Sequence, residues 1–509
     1  MTIAINIFKN STWNLILFAS QGLTGVVSSI LIARYLGPEV MGEYSFIIWL
    51  IGVMVILVGT GFPNTITKFI SELIGSGDKK SAQAIYTRLL QIQLIVALLI
   101  TVILIGIFYP KLLSAKRDYY LIAFLSLTPL CVTAFLASTF HGLQNFKITS
   151  IVGSFINLFQ LILIIVFVSL DVGLRGLVAI PLLSGIVHAL TLGKCMKRSF
   201  SITSSLTIAK EYSNRIIKYA LSFYWILVVS MITWQKSEIF FLKIYSNSEE
   251  IAFYSIAFDI STIMIGLTTL FSTVVFPVLS GYYGVGDREA IQNIYNKSIK
   301  AIIVFYLPIC IIVIAIAKPI VSLMYSSHYS AVSPLLIILI VSSVFSAVGI
   351  LFANLILAVN RADIQAKYVT LIALTNIILD FILIPHYGAT GAAFTNFLVR
   401  IIAFPIWMGI IQKQLGFSFP IREASMSILP NIPLACIVCL VGNYYSNILG
   451  IALVLSTALL LYPLLLFVFR TITNDDIRTA KAISTILPAP YEKVINTIFD
   501  KIPMRQGSL

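Results

Sequence analysis

Apolar runs of about 20 residues, separated by short polar turns, constrain this chain more than any other feature. One such run, SQGLTGVVSSILIA, ends before Arg34, and another, IIWLIGVMVILVGTG, follows after a single turn. A backbone in lipid must satisfy its own hydrogen bonds, and runs of this length suit helices rather than barrel strands of about 10 residues. Only 11% of the residues are charged, against about 25% in soluble domains. The sequence therefore predicts an all-α integral membrane protein.

The apolar runs are numerous enough for about fourteen transmembrane helices. We place them at residues 12–35, 41–63, 86–109, 119–140, 148–170, 175–193, 215–242, 251–277, 299–323, 331–358, 365–385, 388–412, 427–444 and 447–469. An even count puts both termini on the same side of the membrane.

Basic residues orient these helices, because cytoplasmic loops carry an excess of Lys and Arg. The segment around residues 194–218 alone holds Lys194, Lys197, Arg198, Lys210, Arg215 and Lys218. The net charge of +14 is spread over such loops, which indicates topology and not nucleic-acid binding. We predict a multi-pass protein of the cell (cytoplasmic) membrane with both termini in the cytoplasm.

Two pairs of segments indicate an internal repeat. ARYLGPEVMGEYSF, with Gly37 and Pro38 at its turn, has a fainter copy in KIYSNSEEIAFYSIAFD. NFKITSIVGSF…LDVGLRGLVA resembles NRADIQAKYVT…IPHYGATGAAF in the same way. The first pair matches Glu39, Tyr44 and Ser45 with Glu249, Tyr254 and Ser255, and the second matches Asn145, Gly173 and Gly176 with Asn360, Gly388 and Gly391. Six spans separate the copies, so the repeat is parallel, with a pseudo-two-fold axis along the membrane normal.

The repeat divides the chain into four parts. Residues 1–200 form an N-terminal lobe of six helices, and residues 201–413 form a C-terminal lobe of six. Two extra helices follow in residues 414–470. The polar segment 471–509 is predicted to be a cytoplasmic or interfacial tail with a short amphipathic helix.

Four motifs carry a resemblance to a known family. ARYLGPEVMGEYSF, IYSNSEEIAFYSIAF, NRADIQAKYV and IPHYGATGAAFTN together resemble the prokaryotic polysaccharide-biosynthesis branch of the multidrug/oligosaccharidyl-lipid/polysaccharide (MOP) exporter superfamily, which includes O-antigen flippases. The resemblance implies two lobes around a central cavity. It also implies alternating access that moves a polyprenyl- or dolichyl-(pyro)phosphate-linked oligosaccharide from the cytoplasmic to the outer leaflet. The membrane lipids and glycan polymerases or glycosyltransferases would be partners, and nucleic acid would not.

Polar residues within the apolar runs are the candidates for lining such a cavity, because ionisable groups are costly in lipid. The candidates for binding substrate are Arg34, Lys236, Arg400, Asn396, Gln21, Asn157 and Gln160. Arg400 either binds phosphate or a sugar hydroxyl, or forms a structural ion pair with Asp380. Arg34 is either a cavity cation or a residue that reaches the outer headgroups.

Three acidic residues in the apolar runs are candidates for coupling transport to an ion. These are Glu238, Asp259 and Asp380. Lys236 and Glu238 are two residues apart on one helix, so they face different directions and should not pair with each other. Coupling to H⁺ or Na⁺ is the only ionic requirement predicted. No cofactor, no catalytic residue and no metal site is predicted. Cys436 and Cys439 form a CxxC pattern, but they lie inside an apolar run, whereas a zinc site needs a polar setting and two more ligands.

Two other functions compete with a flippase. A cation-coupled multidrug antiporter of the same superfamily would be expected to have twelve helices and an acidic residue in its first lobe, whereas the first span here has no acid. A membrane-embedded glycan enzyme would need a large outer loop with catalytic residues, and no outer loop here exceeds about ten residues. The sequence favours a flippase and not an enzyme.

Overall fold

The structure is a computed structural model that describes residues 2–59, 61–108, 110, 114–198, 200, 210–234, 236–445 and 447–471. Every regular element within these residues is helical. The predicted amphipathic tail, residues 471–509, lies outside the described residues apart from Thr471.

Sixteen α-helices follow one another along the described chain. They are α1 (Thr2–Val58), α2 (Phe62–Gly75), α3 (Lys79–Phe108), α4 (Ser114–Gly142), α5 (Phe146–Ser169), α6 (Gly173–Met196), α7 (Lys210–Trp234), α8 (Glu238–Tyr245), α9 (Ser248–Gly284), α10 (Arg288–Ala301), α11 (Leu307–Tyr325), α12 (Val332–Ala358), α13 (Ala362–Ile410), α14 (Ile421–Ile428), α15 (Asn431–Tyr444) and α16 (Ile448–Val468). Short π-helical turns at Ile302–Tyr306 and Ile411–Leu415 precede α11 and follow α13.

Eleven helical stretches in the described part of the chain are long and apolar enough to cross a membrane, which confirms the prediction of an all-helical membrane protein. Two of them, Thr12–Val58 and Ala362–Leu415, run to 47 and 54 residues. A straight 47-residue helix would measure about 70 Å, far more than the ~30 Å hydrocarbon core. The count of fourteen spans remains a prediction.

Glycines interrupt both long helices. Gly37 has φ 74° and ψ 170°, and Gly388 has φ 52° and ψ −131°, so neither is helical. Positive φ is readily adopted only by glycine, and Pro38 removes a backbone donor directly after Gly37. The predicted turn at Gly37–Pro38 is confirmed.

Helix seven departs from the sequence prediction. A single span was expected over residues 215–242, but α7 ends at Trp234 and α8 begins at Glu238. Lys236 lies between them in a left-handed conformation with φ 56°. At the break, Lys236 pairs with Asp259 of α9, whereas Glu238 bonds to Asn376 and Asn396 of α13.

Helices also replace predicted loops. The segment between the second and third predicted spans forms α2, whose buried residues Thr65, Ile66, Phe69, Ile70 and Leu73 recur at helical spacing. Charged residues on its other face, Lys68 and Glu72, are exposed. The helices α10 and α14 likewise occupy segments that were predicted to be loops.

The described chain forms two compact units. The first comprises Met1–Leu270, Val321–Ser343 and Asn360–Pro405. One of its cores joins α2, α3 and α4 through buried aromatic rings, among them Phe69, Tyr86 and Phe135. This unit contains all the candidate site residues.

The second unit comprises Phe271–Ile320, Val344–Val359 and the described residues from Ile406 onward. Its core packs α11 against α15 and α16 through Ile316, Leu434, Val438 and Val454. Gly442 permits this packing, since a Cβ there would overlap the carbonyl oxygen of Ala315. The lobe boundaries predicted from the repeat remain a prediction.

Candidate functional site

Several candidate residues meet in one buried polar cluster within the first unit. Glu238 begins α8, Asp380 and Asn376 lie in α13 before Gly388, and Asn396 lies in α13 after it. All four are buried, and Asp380 is 0% exposed. We call these four residues, with Tyr254 of α9 and Thr395 of α13, the buried acidic cluster. Residues more than 130 positions apart in the sequence are thus brought together.

Glu238 is held by two amides. Its Oε1 accepts hydrogen bonds from Asn396 Nδ2 at 2.5 Å and from Asn376 Nδ2 at 3.3 Å. Asn396 Nδ2 also donates to the Tyr254 hydroxyl at 2.8 Å, and Ser237 Oγ donates to Asn376 Oδ1 at 3.0 Å. These bonds fix the first turn of α8 against both halves of α13.

Asp380 is the exception in the cluster. Neither of its carboxylate oxygens has a hydrogen-bond partner among the described residues. Thr395 lies next to it, but its hydroxyl is outside hydrogen-bonding geometry. The charge of Glu238 also acts on Asp380. A charged carboxylate that is buried without a partner costs several kcal/mol, and the negative charge of Glu238 adds to that cost at Asp380.

The cluster can therefore bind a proton or a small hard cation. Its oxygen atoms come from two carboxyls, two amides and two hydroxyls, which are the ligand types that hard cations prefer. Groups of three or more His, Cys, Asp or Glu, which transition metals favour, do not occur in the part of the chain that the structure describes.

Arg400 lies one turn after Asn396, and its positive charge acts on Glu238 and Tyr254 of the cluster. Its Nη1 donates to Ser342 Oγ at 3.1 Å, and that hydroxyl donates to the backbone oxygen of Asn396 at 3.2 Å. Because both Asp380 oxygens lack partners within the described residues, Arg400 does not donate a hydrogen bond to Asp380. The two roles considered for Arg400, a ligand for phosphate or a sugar hydroxyl and an ion pair with Asp380, both remain predictions.

Lys236 and Asp259 form an ion pair beside the buried acidic cluster. Lys236 Nζ lies 2.5 Å from Asp259 Oδ1 and 5.5 Å from the centre of the Phe258 ring. Lys236 and Glu238 do not share the continuous helix that the sequence predicts, and each has a different partner.

Arg34 contacts the end of another helix. Its Nε donates to the Met324 oxygen at 2.8 Å, and its Nη2 donates to the Leu323 oxygen. These carbonyls belong to the last turn of α11, where a cation complements the unpaired carbonyls and the helix dipole. Arg34 is exposed.

The three polar candidates in α1 and α5 are Gln21, Asn157 and Gln160, and the hydrogen bonds described for them do not involve the buried acidic cluster. Asn157 Nδ2 donates to Ser20 Oγ at 3.3 Å, and Gln160 Nε2 donates to Ser184 Oγ at 2.8 Å. Gln21 is exposed on α1. Asn157 and Gln160 therefore link neighbouring helices of the predicted N-terminal lobe.

Sequence reasoning did not identify Tyr254, Thr395 or Ser342 as site residues. One signal was present for Tyr254, because it is the repeat partner of Tyr44. A signal for the polar faces of α13 was also present: the i, i+4 spacing of Asn376 with Asp380 and of Asn396 with Arg400 places each pair on one helix face. Thr395 and Ser342 carry no sequence signal that separates them from other small polar residues in apolar helices.

Comparison with known families gives matches to two sequence profiles. The profile described as "Polysaccharide biosynthesis protein" matches residues 7–282. The profile described as "MatE" matches residues 209–382.

The proteins that resemble the chain include two curated proteins and one solved structure. The "Probable low-salt glycan biosynthesis flippase Agl15" of Haloferax volcanii is 20% identical over 213 residues, which is 41% of this chain and 45% of that protein, so the match spans less than half of the relative. The "Putative O-antigen transporter" of Shigella flexneri is 24% identical over 415 residues, covering 78% of this chain and 96% of that protein. The structure titled "Lipid II flippase MurJ, inward closed conformation" superposes with a TM-score of 0.76 at 18% identity, covering 90% of this chain and 98% of that one. At this identity the superposition establishes the fold.

Proposed function

Since this chain belongs to the polysaccharide biosynthesis protein family, we propose that it is a flippase for lipid-linked oligosaccharides. It would move a polyprenyl- or dolichyl-(pyro)phosphate-linked oligosaccharide from the cytoplasmic to the outer leaflet by alternating access. The observation that carries the proposal is the family match over residues 7–282. Relatives named as a glycan flippase and an O-antigen transporter support it.

The proposal includes a location and partners. The chain would lie in the cytoplasmic membrane with both termini in the cytoplasm, as its basic loops favour. Enzymes that build the glycan on the inner face would supply the substrate, and enzymes that polymerise or transfer it would use the product. The chain itself would transport without catalysing a covalent step.

A flipping assay tests this function directly. The full-length protein is reconstituted into liposomes that contain a fluorescent undecaprenyl diphosphate-linked disaccharide, and dithionite then bleaches the probe in the outer leaflet. We expect the protected inner-leaflet fraction to fall in protein-containing vesicles and to persist in protein-free ones. Equal protection in both would contradict the flippase.

The buried acidic cluster supports a second part of the proposal, that transport is coupled to H⁺ or Na⁺. Asp380 is buried with both oxygens unpartnered within the described residues, and Glu238 is the nearby second carboxyl. A cation or a proton bound there would relieve the electrostatic cost of the pair. It would also hold α8 and the two halves of α13 in one arrangement.

Substitution of Asp380 tests the coupling. A ligand that binds only the folded state at 100 times its Kd stabilises it by about 2.7 kcal/mol. We expect the melting temperature of the detergent-solubilised protein to respond to Na⁺ at fixed pH, or to pH without Na⁺, and Asp380→Asn to lose that response. Asp118→Asn is the matched control, because Asp118 is a half-exposed acid outside the cluster and already has a cationic partner, Arg175. An unchanged response in Asp380→Asn would remove the cluster as the coupling site.

The match of the MatE profile to residues 209–382 favours one alternative, a cation-coupled multidrug antiporter. The same liposomes loaded with ethidium distinguish the two functions. Ethidium transport driven by an ion gradient, without movement of the lipid-linked disaccharide, would favour the antiporter.

A further inference from the structure

Lys236 has an unusual backbone for a lysine. It lies in the break between α7 and α8 with φ 56°, a conformation that costs a residue with a side chain roughly 1–2 kcal/mol. Such strain persists where surrounding contacts determine the conformation, and it is concentrated at functional sites. Here the conformation places the lysine next to Asp259 of α9.

The two members of this ion pair are in unequal surroundings. The Lys236 side chain is 19% exposed, whereas the Asp259 side chain is 56% exposed. The ammonium group also lies near the Phe258 ring, with its nitrogen 5.5 Å from the ring centre. Lys236 is thus a sheltered cation that needs an anionic partner, whereas Asp259 is the more exposed member of the pair.

The segment that carries Lys236 is fixed on one side. Two residues further on, Glu238 is buried and accepts hydrogen bonds from Asn396 and Asn376. Ser237 between them donates to Asn376. These contacts hold the backbone of Lys236 while its side chain reaches Asp259, so a different anion can replace the carboxylate without moving the helix.

We propose that Lys236 and Asp259 form an anion-exchange site, in which a phosphate group of the substrate displaces the Asp259 carboxylate from Lys236. This inference rests on the proposed function, since it assigns the phosphate of a lipid-linked substrate to one lysine. Asp259 is then a competing counter-ion that neutralises Lys236 when no substrate is bound, and not an ion-coupling residue.

The physical basis is competition for one ammonium group. A phosphate or diphosphate carries more charge and more acceptor oxygens than a carboxylate, so it forms stronger charge-assisted hydrogen bonds with Lys. The carboxylate that is displaced is already more than half exposed, so its displacement uncovers little additional charged surface. When the phosphate leaves, Asp259 returns and prevents an unpaired sheltered cation.

Removal of the competitor tests the inference. The probe is farnesyl diphosphate, and binding is measured on the full-length protein in lipid nanodiscs. We expect Asp259→Asn to tighten binding about three- to tenfold, which corresponds to the roughly 1 kcal/mol of a partly exposed ion pair. Lys236→Gln should weaken binding by at least as much, and farnesol, which has no phosphate, should bind wild type and both variants equally.

Asp118→Asn is the matched control for the general effect of removing one negative charge. Asp118 pairs with Arg175 at 2.8 Å, and both side chains are about half exposed. This variant should bind farnesyl diphosphate like wild type. An equal gain in Asp118→Asn and Asp259→Asn would show an effect of net charge and overturn the exchange site.

A structural role for the pair predicts the opposite sign. If Asp259 only stabilises the break, Asp259→Asn should lower the melting temperature and weaken the binding of farnesyl diphosphate. Added pyrophosphate should then not restore the melting temperature. Under the exchange site, pyrophosphate should raise the melting temperature of Asp259→Asn more than that of wild type. Lys236→Arg, which keeps the cation, should retain part of the binding that Lys236→Gln loses.

The flipping assay separates this inference from the proposed function. A wild-type protein that flips the lipid-linked disaccharide, with no change of affinity in Asp259→Asn, would overturn the exchange site and leave the flippase intact. A wild-type protein that does not flip, while Asp259→Asn still tightens diphosphate binding, would contradict the flippase and retain the anion site.

Discussion

Two regions of the first unit join the first third of the chain to later helices, and they do so by different means. In the first region, which the predicted topology places outside, α1 meets the start of α9 and the end of α11. Gly42 packs so closely on Ser248 that an added Cβ would overlap the Ser248 carbonyl oxygen. Arg34 donates to carbonyls of α11, and the Tyr329 hydroxyl donates to the Ala33 oxygen at 2.8 Å. Backbone atoms take part in each of these contacts.

The second region, which the predicted topology places at the cytoplasmic side, joins α2 to α7. It begins with a close approach, since a Cβ on Gly61 would lie 2.8 Å from the Ala220 oxygen. Toward its end it consists of side chains alone. Lys68 Nζ lies 3.9 Å from the centre of the Tyr219 ring, and Arg215 forms a bidentate pair with Glu72 at 2.7 and 3.0 Å.

The difference concerns how easily each contact can be broken and re-formed. A backbone contact between two helices is lost only when a helix moves. An exposed ion pair in water contributes about 0–1 kcal/mol and can open by rotation of its side chains. A transporter that alternates its access must separate such contacts in turn, and among them we expect the Glu72–Arg215 ion pair to open more easily than the backbone contacts at Gly42 and Gly61.

The largest effect is expected at Gly42. Gly42→Val should destabilise the protein by about 1–3 kcal/mol or more, because the new side chain forces α1 and α9 apart. Thermal unfolding in detergent is the measurement. Gly52→Ala is the matched control in the same helix, since Gly52 has no neighbouring atom within 4 Å of a new Cβ. It should be neutral or slightly stabilising, and a similar loss in both variants would mean that the close approach to Ser248 does not matter.

An intermediate effect is expected at Arg34. Arg34→Gln removes the cation from the last turn of α11, and we expect a loss of about 1–2 kcal/mol of unfolding free energy, because two charge-assisted hydrogen bonds disappear in a partly solvated setting. Arg175→Gln serves as the control, since that arginine belongs to an exposed ion pair and should cost less than about 1 kcal/mol. If Arg34 instead served only to reach lipid headgroups, the two variants would differ little in unfolding.

The helices and their breaks were largely predictable, because their causes are local. A run of about 20 apolar residues must cross the membrane as a helix. Gly37 and Pro38 mark the first break in the sequence itself, and their signal does not depend on distant residues. The repeat pointed to Gly388 in the same way, and its necessity is visible in the structure, where a Cβ would overlap the Glu250 carboxylate.

The break at Lys236 and the helix α2 were not predictable from the same rules. The sequence WQKSEIFF has neither Gly nor Pro to mark a break. Lys236 takes its positive φ because its neighbours bond to distant helices. The residues of α2 lie mostly between the predicted spans 41–63 and 86–109, and Lys68 and Glu72 are charged. The opposite face of the helix is buried in the aromatic core, and this burial determines the structure.

The site was predictable as a set of residues but not as a set of contacts. Glu238, Asp380 and Asn396 were each expected to face a polar interior, since charged and amide groups are costly in lipid. Helical spacing gives the face on which a residue lies and not the partner across it. Asn396 bonds Glu238 from 158 residues away, and Asp380 has no hydrogen bond from Arg400 within the described residues. These partners become visible only in the packing of α8 against the two halves of α13.

The smallest effect is expected at the Glu72–Arg215 pair, and it bears on the comparison most directly. Both side chains are exposed, at 39% and 51%, so we expect a double-mutant cycle with Glu72→Gln and Arg215→Gln to give a coupling of about 0.2–1 kcal/mol. Screening should reduce this coupling further between 0.1 M and 1 M salt, as the Debye length falls from about 10 Å to 3 Å. The exchanged pair Glu72→Arg with Arg215→Glu should recover most of the stability that either single exchange loses.

The flipping assay gives a second measurement of the same pair. If the ion pair closes and opens in every transport cycle, its loss weakens only a closed state that must open again, so we expect Glu72→Gln to retain transport. A coupling above about 2 kcal/mol that is insensitive to salt would place this contact with the backbone contacts of Gly42, and the α2–α7 region would then be as permanent as the first.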